Sequence, residues 1–220
     1  MGSSPGRRPD RTIEVAPERL AGWLARFAAG HGQPVGQAVG ADLLLEFPDG
    51  ASVLMLDRWG GTGTDGPDEW IRGQTRERRV AILLVRRSAH AVGIATGPRL
   101  ETHHVETHYV QGRTKAGGWS QQRYARRRGN QTDHALDAAA DDAARVLLPD
   151  AAGVDALVCG GDARAVSVVL ADHRLRPLAD RRTRHPVFPV PDPRLAVLQD
   201  LAVSLRAVPV QISDPPPAGQ

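Results

Sequence analysis

The stretch Gly112 to Gln131, GRTKAGGWSQQRYARRRGNQ, holds the residues whose types and spacing could do chemistry. The adjacent Gly117 and Gly118 let the backbone take positive φ and approach a partner with unscreened amide protons. Gln121 and Gln122 follow Trp119 and Ser120. A neutral carboxamide is neither a nucleophile nor a strong base, but it can orient a water while glycine N–H groups supply an oxyanion site. That combination suits hydrolysis of an activated ester. From Arg113 to Arg128 the basic residues are Arg113, Lys115, Arg123, Arg126, Arg127 and Arg128, and there is no acid. Guanidinium forks bind phosphates bidentately, so an array of phosphates is the simplest partner. On spacing alone, the competing reading is a basic surface loop with incidental glutamines.

Other constellations are weaker. His103, His104 and His108 lie close in sequence, with Glu106 between the last two. On a strand, His104 and His108 are about 13 Å apart at a 3.3 Å rise, too far to share one metal ion, so a solvated or RNA-facing strand surface is expected. Asp133, Asp137 and Asp141 recur every four residues on one helix flank and read as a solvated stripe, with Arg145 able to pair with Asp141. A nuclease would need acids converging on Mg²⁺ from different elements. No G-x-S-x-G elbow is present for a serine hydrolase. The glycine-rich GGTGTDGPDEW from Gly60 lacks the Gly-Lys-Ser/Thr ending of a phosphate-cradling loop and reads as a flexible connector.

The elements that must position the basic stretch can be read from periodicity. Leu20, Trp23, Leu24 and Phe27 repeat at helical spacing from Pro17 to Gly30-His31-Gly32. Asp42–Phe47 and Ala51–Asp57, around Pro48-Asp49-Gly50, make a β-hairpin. Val80–Val85, Ala89–Ala95 and Glu101–Gln111 make three antiparallel strands leading into the basic stretch, and Ser120 to about Leu148 is a long helix. Val154–Cys159 suits a buried strand, Ala163–Leu170 a short helix and His185–Val190 a Pro-limited edge strand. Asp192-Pro193 opens a helix bearing Leu195, Leu198, Leu201 and Leu205, and an extended stretch near Val208–Ile212 closes the pattern. Strands followed by alternating helix and strand give an α/β domain with a mixed sheet and helices on both faces.

Length and composition fit one globular unit with frayed ends: 220 residues, 41% hydrophobic. The net charge is only +3 and Lys115 is the only lysine, so the basicity is local and almost entirely arginine. Arginine with abundant Ala, Gly and Pro can reflect a high-GC genome, but that does not cluster the charges. The single cysteine, Cys159, excludes an internal disulfide and reads as core packing in a reducing cytosol. No run approaches the roughly 18 apolar residues that cross a bilayer, and MGSSPGRRPD has no apolar signal core, so the expectation is a soluble cytoplasmic protein.

The run GGWSQQRYARRRGNQ, preceded by Arg113 and Lys115 and followed by a long helix, resembles the catalytic loop and helix of the middle domain of archaeal and eukaryotic class I peptide-release factors. More closely it resembles the Vms-like release factor (VLRF) branch in its actinobacterial form, whose RFARLR-like segment RYARRR at Arg123–Arg128 echoes. The resemblance covers Val80 to about Ile212 and implies an RNase H-like release-factor middle domain. The expected layout is a disordered 1–11, then a domain over 12–212 with an N-terminal helix and hairpin (12–75) and an RNase H-like core (76–212), then a disordered 213–220.

For activity, the resemblance implies codon-independent peptidyl-tRNA hydrolysis on stalled or split large ribosomal subunits, with no metal or organic cofactor. Gly117 and Gly118 would let the backbone reach the ester. Trp119 stands directly after them, where the family's strict motif has glutamine, so Gln121, or else Gln122, supplies the amide. Arg113, Lys115, Arg123, Arg126, Arg127 and Arg128 would hold ribosomal RNA and the tRNA acceptor end, and Trp119 would stack on a base. The partners implied are the large subunit and peptidyl-tRNA, with the protein a monomer in solution, unable to read stop codons for want of the other release-factor domains. The alternative is a non-enzymatic ribosome- or RNA-binding module anchored by the same charges.

Overall fold

The computed structural model describes residues 9–60, 66–107, 119–183 and 187–216, and for 119–130 it describes the backbone alone. The chain divides into two units, one of residues 1–76 with 205–220 and one of Glu77–Ser204.

In the first unit the expected helix is α1 (Pro17–His31), entered through Pro17 in its first turn. It follows β1 (Arg11–Val15) and precedes β2 (Val35–Val39), β3 (Asp42–Glu46) and β4 (Ser52–Met55). β3 and β4 form the expected hairpin, with Leu44 opposite Leu54. Its turn is closed by the Gly50 amide on the Phe47 carbonyl (3.0 Å), and Gly50 takes φ 87°, a conformation glycine adopts without steric cost. The connector expected after Gly60 becomes helix α2 (Pro67–Thr75), whose buried Trp70 donates its indole N–H to the Ala41 carbonyl at 2.8 Å; residues 61–65 lie outside the described residues.

The hairpin belongs to a larger sheet than the sequence suggested. The order is β1-β9-β4-β3-β2, with β9 (Val208–Ser213) antiparallel to both neighbours: Ile13 faces Val210 and Val53 faces Ile212. The extended stretch at 208–212 therefore completes the N-terminal sheet, and within the expected 76–212 core the second unit is Glu77–Ser204. Ordered strand also reaches into both expected tails, since β1 starts at Arg11 and β9 ends at Ser213; residues 1–8 and 217–220 lie outside the described residues. Leu43, Leu45, Val53, Met55, Val208, Val210 and Ile212 bury one sheet face, against which Leu20 and, half-buried, Trp23, Leu24 and Phe27 of α1 pack.

The second unit starts with β5 (Arg79–Arg86), β6 (Ala89–Thr96) and β7 (Arg99–Thr107), an antiparallel meander as expected. After α3 (Trp119–Leu147) and a 3-10 turn, β8 (Ala156–Gly161) runs parallel to β5, giving the mixed order β7-β6-β5-β8. β5 is apolar at nearly every position because both sheet faces are covered. On one face lie α3 and α4 (Ala163–Leu170), whose N-cap Asp162 accepts from the Arg164 and Ala165 amides. On the other lies α6 (Leu195–Ser204), reached through a 3-10 turn and the short α5 (Arg176–Ala179). There Gly93 admits α6: a Cβ on it would sit 3.0 Å from Leu198 Cδ2 and 2.8 Å from the Thr102 carbonyl oxygen. The expected edge strand over 185–190 is only an isolated bridge of Phe188 to Gly160, with 184–186 outside the described residues. The expected mixed-sheet α/β architecture with helices on both faces is present.

Candidate functional site

Strand β7 and helix α3 bracket the segment that sequence singled out. Arg113, Lys115, Gly117 and Gly118 lie outside the described residues. α3 is described from Trp119, which puts Gln121 and Gln122 in its first described turn and Arg123, Arg126, Arg127 and Arg128 in the next two. At a 1.5 Å rise, the run from Trp119 to Arg128 spans about 13 Å of helix. Four arginines and no acid in that length concentrate positive charge at the end of α3 nearest β7 in sequence.

The other end of α3 is fixed by small side chains. Ala135, Ala139, Ala140, Ala143 and Leu147 recur on one face, all buried, and the last four pack in one cluster with Val92 and Ile94 of β6 and Leu83 of β5. Alanines let the helix axis approach the sheet closely, and burial of an apolar helix face is what holds such an element. The opposite face carries Asp133, Asp137 and Asp141, all exposed, as the spacing implied. The ion pairing differs from expectation: Asp141 pairs with Arg174 at 2.7 Å, while Arg145 pairs with Asp142 three residues before it. Position i+3 brings Arg145 to the sheet-side edge of α3, where Asp142 is only 13% exposed.

Asp142 is the centre of a polar cluster that the sequence did not disclose. Its Oδ2 lies 2.9 Å from Nε2 of His90 on β6 and 3.1 Å from Nε2 of His104 on β7. His104 Nε2 is also 3.8 Å from Glu106 Oε2. Register explains the convergence: His90 stands opposite Glu106 and Val92 opposite His104, so all three polar residues fall on the face that α3 covers. The expectation of a plain solvated strand surface is thus corrected for His104 and Glu106, which are half-buried under α3, whereas His103 points the other way and is exposed. His108, the expected partner of His104 on that face, lies outside the described residues. Burial pushes the Asp142 pKa up, but hydrogen bonds from Arg145 and His90 and the proximity of His104 outweigh it and leave the carboxyl below its ordinary value. The missed residues had a signal: His90 is a polar residue inside the apolar run AHAVGIA, and Asp142 lies between the buried Ala139 and Ala143.

Cys159 is buried as expected, and desolvation pushes its thiol up to about 11, which keeps it protonated and inert. None of the helices among the described residues is long and apolar enough to cross a membrane.

Together these features define a mixed α/β protein whose long helix begins in an arginine-rich segment and is seated on the sheet by alanines. Residues 78–211, well over half of the chain, match the family described as "Actinobacteria/chloroflexi VLRF1 release factor", and the chain belongs to that family. The family is one of translation release factors. Among solved structures the chain is similar to the archaeal translation termination factor aRF1 at 15% identity and TM-score 0.44, over 74% of this chain and 50% of that one. A second archaeal protein is similar at 15% identity and TM-score 0.43, over 74% and 51%. The chain thus spans about half the length of those archaeal chains. No curated protein sequence matches it.

Proposed function

We propose that this protein is a codon-independent peptidyl-tRNA hydrolase that frees nascent chains from stalled large ribosomal subunits in the cytoplasm. The observation that carries the reading is the family match, which spans Gly117, Gly118, Gln121, Gln122 and the whole of α3. Arg113, Lys115, Arg123, Arg126, Arg127 and Arg128 hold ribosomal RNA and the tRNA acceptor end through phosphate contacts, and Trp119 offers a ring for a base to stack on. Gly117 and Gly118 admit the ester to backbone amides, and Gln121, or else Gln122, positions the attacking water. The water oxygen bonds to the ester carbonyl carbon as the bond from that carbon to the tRNA 3′ oxygen breaks; one water proton goes to the 3′ oxygen and the other to solvent, so the peptide leaves as a carboxylate. A glutamine in the first turn of a helix suits this work: helix amides there lack intrahelical acceptors and favour developing negative charge.

The test uses stalled large subunits carrying peptidyl-tRNA. Wild type frees the peptide, whereas Gln121→Ala, Gln122→Ala or the double variant loses release while still cosedimenting with the subunits. Undiminished release by the double variant refutes the assigned role. Trp119, standing directly after Gly117-Gly118, favours one second reading, a non-enzymatic ribosome-binding module. Under that reading the glutamine variants keep full function and Arg126→Glu with Arg127→Glu abolishes it.

A further inference from the structure

We propose that His90, His104, Glu106 and Asp142 form a binding site for one zinc ion, joining β6 and β7 to α3. Each residue offers one donor atom, and the four atoms lie within 4.8 Å of one another. Four ligands at about 2.0–2.1 Å around a tetrahedral Zn²⁺ stand about 3.3–3.4 Å apart, so the spacings of 2.9, 3.1 and 3.8 Å lie within tenths of an ångström of that value. The widest separation in the group, within 4.8 Å, would close by a side-chain adjustment of about 1 Å at the half-exposed Glu106. Two imidazole nitrogens with two carboxylate oxygens suit zinc, whereas Mg²⁺ and Ca²⁺ take oxygen ligands.

The surroundings are those of a built site. The ligands come from three elements whose relative positions are set by sheet register and by the alanine face of α3, and the His90 side chain is 1% exposed. Both Nε2 atoms converge on the single oxygen Asp142 Oδ2, and the His104 ring is shared between two acids. Arg145 holds the other oxygen, Oδ1, leaving Oδ2 to face the rings, as outer partners orient ligating carboxylates. The two carboxylates outweigh the one guanidinium, so a dication is electrostatically welcome. The ion would clamp the last residues of β7 to α3, on either side of 108–118.

The experiment titrates Zn²⁺ into the full chain stripped with EDTA, reading stoichiometry by competition with a chelating dye and stability by thermal unfolding. One Zn²⁺ per chain is expected, with a rise in Tm that Mg²⁺ does not reproduce. His104→Ala and Glu106→Gln, both at half-exposed positions chosen to leave the apo fold intact, should each weaken binding at least about tenfold, more than loss of an outer-shell partner at its mildest. His103→Ala, one residue away on the opposite face, should leave binding unchanged and so reports on surface histidines in general. Absence of one-to-one binding overturns the proposal, as does binding that survives His104→Ala combined with Glu106→Gln, or binding that His103→Ala weakens equally.

Discussion

Replacing Asp142 by alanine tests how α3 is anchored to the sheet. The change removes an acceptor 2.9 Å from Nε2 of the buried His90, and loss of such a partner at a buried site costs about 1–3 kcal/mol. It also removes the pair with Arg145, which is 60% exposed and therefore contributes only about 0.2–1 kcal/mol. Alanine is the better helix former, returning up to about 0.7 kcal/mol. The net expectation is destabilisation of about 2 kcal/mol, a Tm drop of about 4–8 °C for a chain of this size. The assay is urea denaturation followed by far-UV circular dichroism in EDTA, so that no divalent ion contributes. The pH profile gives a second check. The folded pKa of Asp142 lies below 3.8, so its contribution is present above the unfolded carboxyl pKa and is lost as pH falls through the lower folded value. The stability difference between wild type and Asp142→Ala should therefore begin to shrink as pH falls below about 4 and vanish only below the lower folded value. A difference under about 0.5 kcal/mol at pH 7, within the range of ordinary surface changes, would refute the claim that this carboxylate anchors the helix.

Further outcomes follow from single positions. Gly161→Ala should cost at least about 3 kcal/mol in equilibrium unfolding, because φ is 103° and the new Cβ would fall 2.1 Å from the Val85 carbonyl oxygen. Gly30→Ala should instead stabilise by about 0.5–1 kcal/mol, since it lies within α1 with no atom within 4 Å of the added Cβ. Cys159, with its thiol pushed up to about 11, should resist a thiol reagent at pH 8 and react only on unfolding; its burial should cost stability as pH rises from 9 towards 11. Cosedimentation with large subunits should fall steeply between about 50 and 200 mM salt, and Arg126→Glu with Arg127→Glu should flatten that dependence.

The sequence by itself determined every element whose pattern is local and strongly periodic. The apolar runs of β5 and β6, the helical repeat from Leu20 to Phe27, the Pro48-Asp49-Gly50 turn and the long helix with its exposed Asp133, Asp137 and Asp141 each carry their own signal. The basic run from Arg113 to Arg128 was equally legible, because charge clustering needs no partner element to be seen. Tertiary structure decided what depends on pairing across sequence distance. β1 and β2 are short and mostly exposed, so no apolar alternation marks them, and the first sheet exists because Val208–Ser213 returns to lie between β1 and β4. Helix α2 was hidden behind glycines although Trp70 and Gln74 are buried on one face. Above all, His90, His104, Glu106 and Asp142 are scattered over three elements. A strand-spacing argument confined to one strand could not see that register and the alanine face of α3 bring a different histidine and an aspartate within reach of His104.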